Sequence, residues 1–229
     1  MSKKTWIIFA VICVVVLGGL IQLSRKNSVD VSNVDQTKIQ AASAANGNIA
    51  DHVTDLKDSK VVLVEYGDYQ CPYCGEAYPQ VKKITTDYAS KITFVFRNYP
   101  LSTMHPNAKA AAAAAEAAGL QGKYWEMHDK LYESQNDWDT LSTDKRTNTF
   151  VSYAKEIGVK DLDKFKTDMA GNDVNKKINF DLALGNKAKV TGTPTFVLNG
   201  KTVPDDQSQS LISGDGSVMA KALDKALKN

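Results

Sequence analysis

Cysteine is scarce in this sequence: its 229 residues include three, of which Cys13 lies in an apolar run. The other two, Cys71 and Cys74, form one close pair, so the four thiolates of a structural Cys₄ zinc site cannot come from this chain. A structural disulfide between residues so near in sequence would close a very small loop and add little stability. We therefore interpret the pair as a reactive site.

A surplus of charge is also lacking, since 28 basic and 26 acidic residues give a formal net charge of +2. The first 26 residues hold four basic and no acidic residues, so the remainder is close to neutral. No cluster of lysine and arginine marks a nucleic-acid surface, and we expect no nucleic-acid partner. Internal repeats are absent, and 43% hydrophobic with 24% charged residues is typical of a globular domain.

Histidine is scarce too, with three residues. His105 comes just before a predicted helix and His128 lies within one, and we interpret both as packing residues. Neither is adjacent in sequence to a carboxylate-rich ligand set, so the sequence predicts no metal site. We expect no cofactor.

One long hydrophobic run is present, from Trp6 to Leu23, and it contains no charged residue. About 18 apolar residues reach the lower end of what spans a bilayer core of roughly 30 Å. Basic residues follow the run where signal peptidase needs small ones, which favours an uncleaved membrane anchor over residues 1–26. A cleaved signal peptide is the alternative. Residues 27–48 are polar and predict a flexible tether to a domain at 49–229.

The apolar pattern of that domain predicts the order β-α-β, helical insertion, β-β-α. The first strand, helix and strand indicate a right-handed unit with parallel strands. The insertion occupies about 104–187, and Asn199-Gly200 forms a two-residue hairpin turn. The predicted strands are 61–66, 91–97, 195–198 and 201–203, and the predicted helices are 71–89, 106–118, 124–133, 144–157, 161–170, 173–187 and 216–227.

The segment Cys71-Pro72-Tyr73-Cys74 directly follows a predicted buried strand and begins the next helix, with Pro72 in its first turn. Free backbone N–H groups and the positive end of the helix dipole favour a thiolate at this position. The pair can therefore make and break one disulfide. Asp68, in the turn before it, is expected to be solvated.

These residues resemble the thioredoxin fold with an inserted helical subdomain, as in the DsbA-like thiol:disulfide oxidoreductases. The resemblance covers roughly residue 51 to the C-terminus and is strongest to membrane-tethered members of that family. The segments that carry it are, in order, Glu65, 71–74, 96–101, 105–106, 121–125, 127–128 and 191–196.

The resemblance implies a role for each matching residue. Cys71 is the expected nucleophile and Cys74 the resolving thiol, and the two form the redox-active disulfide of the oxidised protein. Pro194 is implied to follow a cis peptide bond and, with Thr193, to bind substrate; a proline that merely starts a strand is the alternative. Glu65 is implied to move a proton with Cys74, the alternative being an ordinary strand-edge carboxylate.

Tyr73 departs from the family pattern, because the most strongly oxidising relatives carry histidine there. It offers no imidazolium to stabilise a thiolate, and the motif Cys-Pro-Tyr-Cys also occurs in glutaredoxins. We expect a membrane-anchored, extracytoplasmic oxidase that acts on reduced, unfolded exported proteins and is re-oxidised by a quinone-linked membrane partner (DsbB-like or VKOR-like). A reductase or isomerase of the same fold, and a chaperone-like peptide-binding module, are the alternatives.

Overall fold

The computed structural model describes residues 6–7, 9–16, 18, 29–54 and 59–228. The described positions between 6 and 18 are helical and largely exposed. Among the described residues, no helix combines the length and the apolar character that crossing a membrane requires. The expected anchor over 1–26 lies partly outside the described residues.

A five-stranded sheet in the order β1-β3-β2-β4-β5 forms the centre of the domain. Strands β2 and β3 run parallel, with Glu65 opposite Phe96, and the remaining pairs are antiparallel. This confirms the predicted parallel βαβ unit and the hairpin after it. The strands are β1 (His52–Val53), β2 (Val62–Gly67), β3 (Thr93–Asn98), β4 (Thr195–Leu198) and β5 (Lys201–Thr202).

The helices confirm an α/β fold with a helical insertion between β3 and β4. The predicted helices begin and end within a few residues of the observed ones, whereas β1, α4 and α8 were not predicted. The helices are α1 (Pro72–Asp87), α2 (Ala108–Gly119), α3 (Tyr124–Glu133), α4 (Gln135–Trp138), α5 (Thr143–Glu156), α6 (Leu162–Met169), α7 (Asn172–Lys187), α8 (Asp205–Ile212) and α9 (Ser217–Leu227).

The two faces of the sheet have separate cores. Side chains alternate along a strand, so Leu63 and Glu65 face one side of β2 while Val64 and Tyr66 face the other. The first face packs against α1 and the helical insertion, and the second packs against α7. Residues 111–118 of α2 are all buried, and their small alanines let α3, α6 and α7 approach closely.

Residues 29–48 differ from the flexible tether that the sequence predicts, because they pack against the domain. Arg97 is fully buried and donates hydrogen bonds to the backbone carbonyls of Gln36, at 2.7 Å, and Lys38, at 2.6 Å. Val31 is buried in the core on the α7 side of the sheet. The segment is held because its carbonyls satisfy a buried guanidinium, which a polar composition does not reveal.

A buried ion cluster lies beneath this segment and consists of Asp51, Arg97, Lys177 and Asp181. Arg97 pairs with Asp51 at 2.7 Å, and Lys177 pairs with Asp51 at 3.0 Å and with Asp181 at 2.6 Å. Burial alone would raise the pKa of Asp51, but the charges of Lys177 and Arg97 outweigh it and lower that pKa to about 2. The cluster joins β3, α7 and the chain before β1.

Candidate active site

The Cys-Pro-Tyr-Cys segment lies at the start of α1, where the sequence places it. Cys71 is the N-cap residue and Pro72 occupies the first turn, where a missing N–H costs nothing. Cys71 and Cys74 are both buried, and both are free thiols in this structure. Tyr73, between them, is 59% exposed and projects from the domain.

The thiol of Cys71 ionises easily. Hydrogen bonding from the Cys74 thiol lowers its pKa most; the Thr193 hydroxyl and the backbone N–H groups of Cys74 and Tyr73 lower it further, and burial opposes them. The pKa of Cys71 is thereby lowered to about 6. At pH 7 most of this sulfur is thiolate, the form that attacks disulfides.

The deeper thiol behaves in the opposite way. Burial raises the pKa of Cys74 well above its ordinary value, and the neighbouring Cys71 raises it further. Glu65 is 3% exposed, and burial together with the charge of Cys71 raises its pKa to about 8. At neutral pH the site therefore holds one thiolate, one protonated thiol and one protonated carboxyl.

The Thr193–Pro194 peptide bond is cis, and it lies against the cysteine pair. The Sγ of Cys71 is 3.4 Å from the carbonyl oxygen of Thr193, to which the thiol can donate. The Thr193 hydroxyl is buried and makes no hydrogen bond among the described residues. It is available to donate to the Cys71 sulfur when that sulfur is a thiolate, which is how it lowers the Cys71 pKa.

A cavity of about 540 Å³ opens beside this pair, between Tyr73, the Thr193-Pro194 loop and α8. Gln209 and Ile212 of α8 form one wall. This helix was not predicted from the sequence, although Pro204 followed by two aspartates is a typical helix start. The cavity leaves room for a peptide segment next to Cys71.

Asp68 is buried and not solvated as expected. Its Oδ2 accepts hydrogen bonds from the Leu101 backbone N–H at 2.9 Å and from Nδ1 of His105 at 2.7 Å, and its Oδ1 accepts one from the Gln70 N–H at 2.8 Å. The carboxylate thus holds the turn before Cys71 against the loop after β3. His105 contributes through this contact as well as through packing.

The helical insertion also positions the active-site turn. Gln135 of α4 donates to the carbonyls of Tyr69, at 2.7 Å, and Cys71, at 2.9 Å. Asn107 donates its backbone N–H to the Gln70 side chain at 2.6 Å. The turn is therefore held by residues from a different part of the chain, and none of these was predicted from the sequence to belong to the site.

His128 lies within a buried aromatic cluster formed with Tyr69, Phe96, Trp125 and Tyr132. Burial lowers its pKa, so it is neutral at pH 7. Within the parts of the chain that the structure describes, no group of three or more His, Cys, Asp or Glu side chains is arranged to hold a metal ion.

Known proteins resemble this chain over the domain that carries the cysteine pair. The family model described as Thioredoxin matches residues 48–225. A thioredoxin-like oxidoreductase from Silicibacter pomeroyi DSS-3 is 29% identical with a TM-score of 0.56, and the match covers 72% of this chain and 91% of that one. BdbD from Bacillus subtilis is 23% identical with a TM-score of 0.66, over 83% of this chain and 98% of BdbD, a likeness that shows the fold.

Among curated proteins, the Na(+)/H(+) antiporter NhaA 1 of Salinispora arenicola is 41% identical over 151 residues, which is 66% of this chain and 22% of the antiporter. The chain spans about a fifth of the length of the curated relatives that it matches. The likeness therefore concerns one part of those proteins.

Proposed function

This chain belongs to the thioredoxin family, and from that premise we propose that it is a thiol:disulfide oxidoreductase that works as an oxidase of exported proteins. The observation that carries the proposal is the unequal ionisation of Cys71 and Cys74 beside a protonated Glu65. A stabilised thiolate favours the reduced form of the pair. A protein whose reduced form is stabilised donates its disulfide readily.

In the proposed reaction, a substrate thiolate attacks Sγ of Cys71 in the oxidised pair, and the Cys71–Cys74 bond breaks as a mixed disulfide forms. The leaving sulfur of Cys74 takes a proton from Glu65, because burial raises the pKa of Cys74 well above its ordinary value and so above that of Glu65, which is about 8. The second substrate thiolate then attacks the substrate sulfur of the mixed disulfide. Cys71 leaves as a thiolate, so two electrons have passed from substrate to enzyme.

We propose that substrate binds as an extended segment along Thr193 and Pro194. The backbone of this loop, next to Cys71, can pair with a peptide in the manner of an added strand. The adjoining cavity and the exposed ring of Tyr73 offer contacts for side chains of either polarity. Reduced, unfolded proteins present such segments.

We also propose that the catalytic domain is tethered outside the cytoplasm by a single-pass anchor over residues 1–26. The support is the uncharged apolar run, whose described side chains such as Ile7 and Val14 are largely exposed, as lipid-facing residues would be. Re-oxidation then requires a membrane partner that takes the two electrons, and a quinone-linked protein fits this need.

Cys71→Ser tests the chemistry, with Cys74→Ser as the matched control. Cys71→Ser should abolish disulfide transfer to a reduced model protein. Cys74→Ser, mixed with a model protein that contains a disulfide, should accumulate the mixed disulfide at Cys71, since it keeps the nucleophile and lacks the resolving thiol. Unchanged biological activity of Cys71→Ser would instead support a chaperone-like module.

Equilibration of the purified protein with glutathione buffers separates oxidase from reductase. We expect a reduction potential between about −200 and −120 mV, the range of oxidising members of this fold. A value near thioredoxin's, about −270 mV, would overturn the oxidase assignment.

A further inference from the structure

Tyr132 at the end of α3 is a buried tyrosine whose hydroxyl has no hydrogen-bond partner among the described residues. Its ring lies 5.0 Å from that of Tyr69, 5.2 Å from that of Tyr78 and 5.2 Å from that of His128. Phenylalanine would fill this aromatic cluster without burying a polar atom. A buried hydroxyl without a partner destabilises the folded protein, so its presence needs an explanation.

The hydroxyl of Tyr132 lies over Gly67, the last residue of β2. A Cβ atom added at Gly67 would overlap the Phe96 ring and would come within 3.1 Å of this hydroxyl. Glu65 precedes Gly67 by two residues and so projects from the same face of the strand. Because Gly67 has no side chain, the Phe96 ring and the Tyr132 hydroxyl both approach the strand on the face from which Glu65 projects.

Tyr132 lies near Cys74 and Glu65, the two groups that exchange a proton in the proposed reaction. Burial raises its pKa most, followed by the ionised forms of Cys74, Glu65, Tyr69 and Asp68, in that order. His128, across the cluster, is neutral at pH 7 because burial lowers its pKa. The phenol therefore stays protonated, and it can accept one proton only while it donates another.

Tyr132 also lines a second cavity, of about 400 Å³, behind the first turn of α1. Pro72 and Gly75 form its α1 side, and Gln135 lies on the opposite side. This cavity is open to solvent, whereas Glu65 and Cys74 are enclosed. Tyr132 thus meets this cavity with atoms other than its hydroxyl, which is itself buried.

We propose that the Tyr132 hydroxyl is a positioning group for the proton that moves between Glu65 and Cys74, and that one bound water links it to Glu65. The inference rests on the proposed function and deepens it. When Cys74 attacks a mixed disulfide at Cys71, a new Cys71–Cys74 bond forms and the partner's sulfur leaves as a thiolate. The proton of Cys74 goes to Glu65, which ionises more readily in the mixed disulfide because Cys71 then carries no charge, and the water held by the Tyr132 hydroxyl solvates that carboxylate until it accepts the proton.

The test is Tyr132→Phe, with Tyr153→Phe as the control because Tyr153 is equally buried but belongs to α5 and does not contact Gly67. Reduced protein is mixed rapidly with oxidised glutathione, and acid-quenched mass spectrometry separates the Cys71 mixed disulfide from the closed pair. The rate of closure is measured from pH 5 to 9, in water and in D₂O.

We expect Tyr132→Phe to slow closure about tenfold or more near pH 7, to shift its pH profile and to reduce the solvent isotope effect, since proton transfer by a positioned group contributes at least this much. Tyr153→Phe should stay within about twofold of the unsubstituted protein. Unfolding measurements should find Tyr132→Phe at least as stable, because the hydroxyl it loses has no partner.

An unchanged closure rate and pH profile would overturn the inference. So would a slowing that is equal at every pH and accompanied by lost stability, since that is the behaviour of a packing residue. If the unsubstituted protein itself fails to close its Cys71–Cys74 disulfide, the proposed function fails, which is a different result from normal closure in both proteins.

Discussion

Glu65→Gln should stabilise the protein at neutral pH, and the gain should depend on pH. The buried carboxyl has its pKa raised from 4.5 to about 8, chiefly by burial. In the unfolded chain at pH 7 the Glu65 carboxyl is ionised, whereas in the folded protein it is protonated. Folding must therefore take up a proton at a pH above the unfolded pKa, which costs free energy. Over about 2.5 pH units this costs about 3 kcal/mol, at roughly 1.4 kcal/mol per unit.

The direction of the pH dependence follows from the raised pKa. Below about pH 4.5 the carboxyl is protonated in both the folded and the unfolded state, and its pKa shift costs nothing. As the pH rises from 4.5 to about 8 the cost grows, and above that it levels off near 5 kcal/mol, an order-of-magnitude figure. Glutamine does not titrate and escapes the cost entirely.

Urea unfolding of both proteins at pH 4, 5.5, 7 and 8.5 provides the measurement. The difference in free energy of unfolding, Glu65→Gln minus unsubstituted protein, should increase steadily over this range. The titration of Cys71 is common to both proteins and largely cancels in the difference. With the cysteines oxidised the increase should be smaller, because no Cys71 thiolate then adds to the shift. A difference that is the same at every pH would refute the reasoning.

Two further predictions concern Cys71 and the buried ion cluster. Thr193→Val removes a hydroxyl that stabilises the thiolate, so the Cys71 pKa should rise from about 6 by roughly half a unit to one unit, measured as alkylation rate against pH; an unchanged pKa would show that the hydroxyl makes no contact with the sulfur. Asp51→Asn leaves Arg97 and Lys177 with one counter-charge fewer and should cost about 3–5 kcal/mol in chemical denaturation at pH 7. That deficit should shrink as the pH falls from about 4 towards 2, because the Asp51 carboxyl of the unfolded chain takes up a proton below its ordinary pKa of 3.8, whereas that of the folded protein resists protonation down to about pH 2. A deficit below about 1 kcal/mol at pH 7 would contradict the importance of the ion pair.

Sequence patterns predicted the elements whose signals are local. The motif at 71–74, the parallel unit around it and the insertion at about 104–187 all follow from hydrophobic period and turn chemistry. The burial of Asp68 was not predictable in this way, because its partners Leu101 and His105 lie more than 30 residues further along the chain. The hydrogen bonds from Gln135 to the active-site turn span more than 60 residues and have no period to detect.

The role of Tyr132 was hidden for a similar reason. In the sequence it is one aromatic residue on an amphipathic helix, the ordinary pattern of a core position. What distinguishes it is an unpaired hydroxyl over Gly67, a relation between two residues that are far apart in the chain. Helix α8 was different, since its proline and aspartates gave a local signal that could have been used.

The docking of residues 29–48 limits how far the catalytic domain can travel. A free chain from residue 23 to residue 49 could extend roughly 90 Å, whereas the six residues before Val29 reach at most about 20 Å. In the anchored protein that we propose, the linker between anchor and domain is therefore short, and the cysteine pair stays close to the bilayer surface. A membrane-bound electron acceptor would meet it at a high effective concentration, while a folded protein far from the surface would lie out of range.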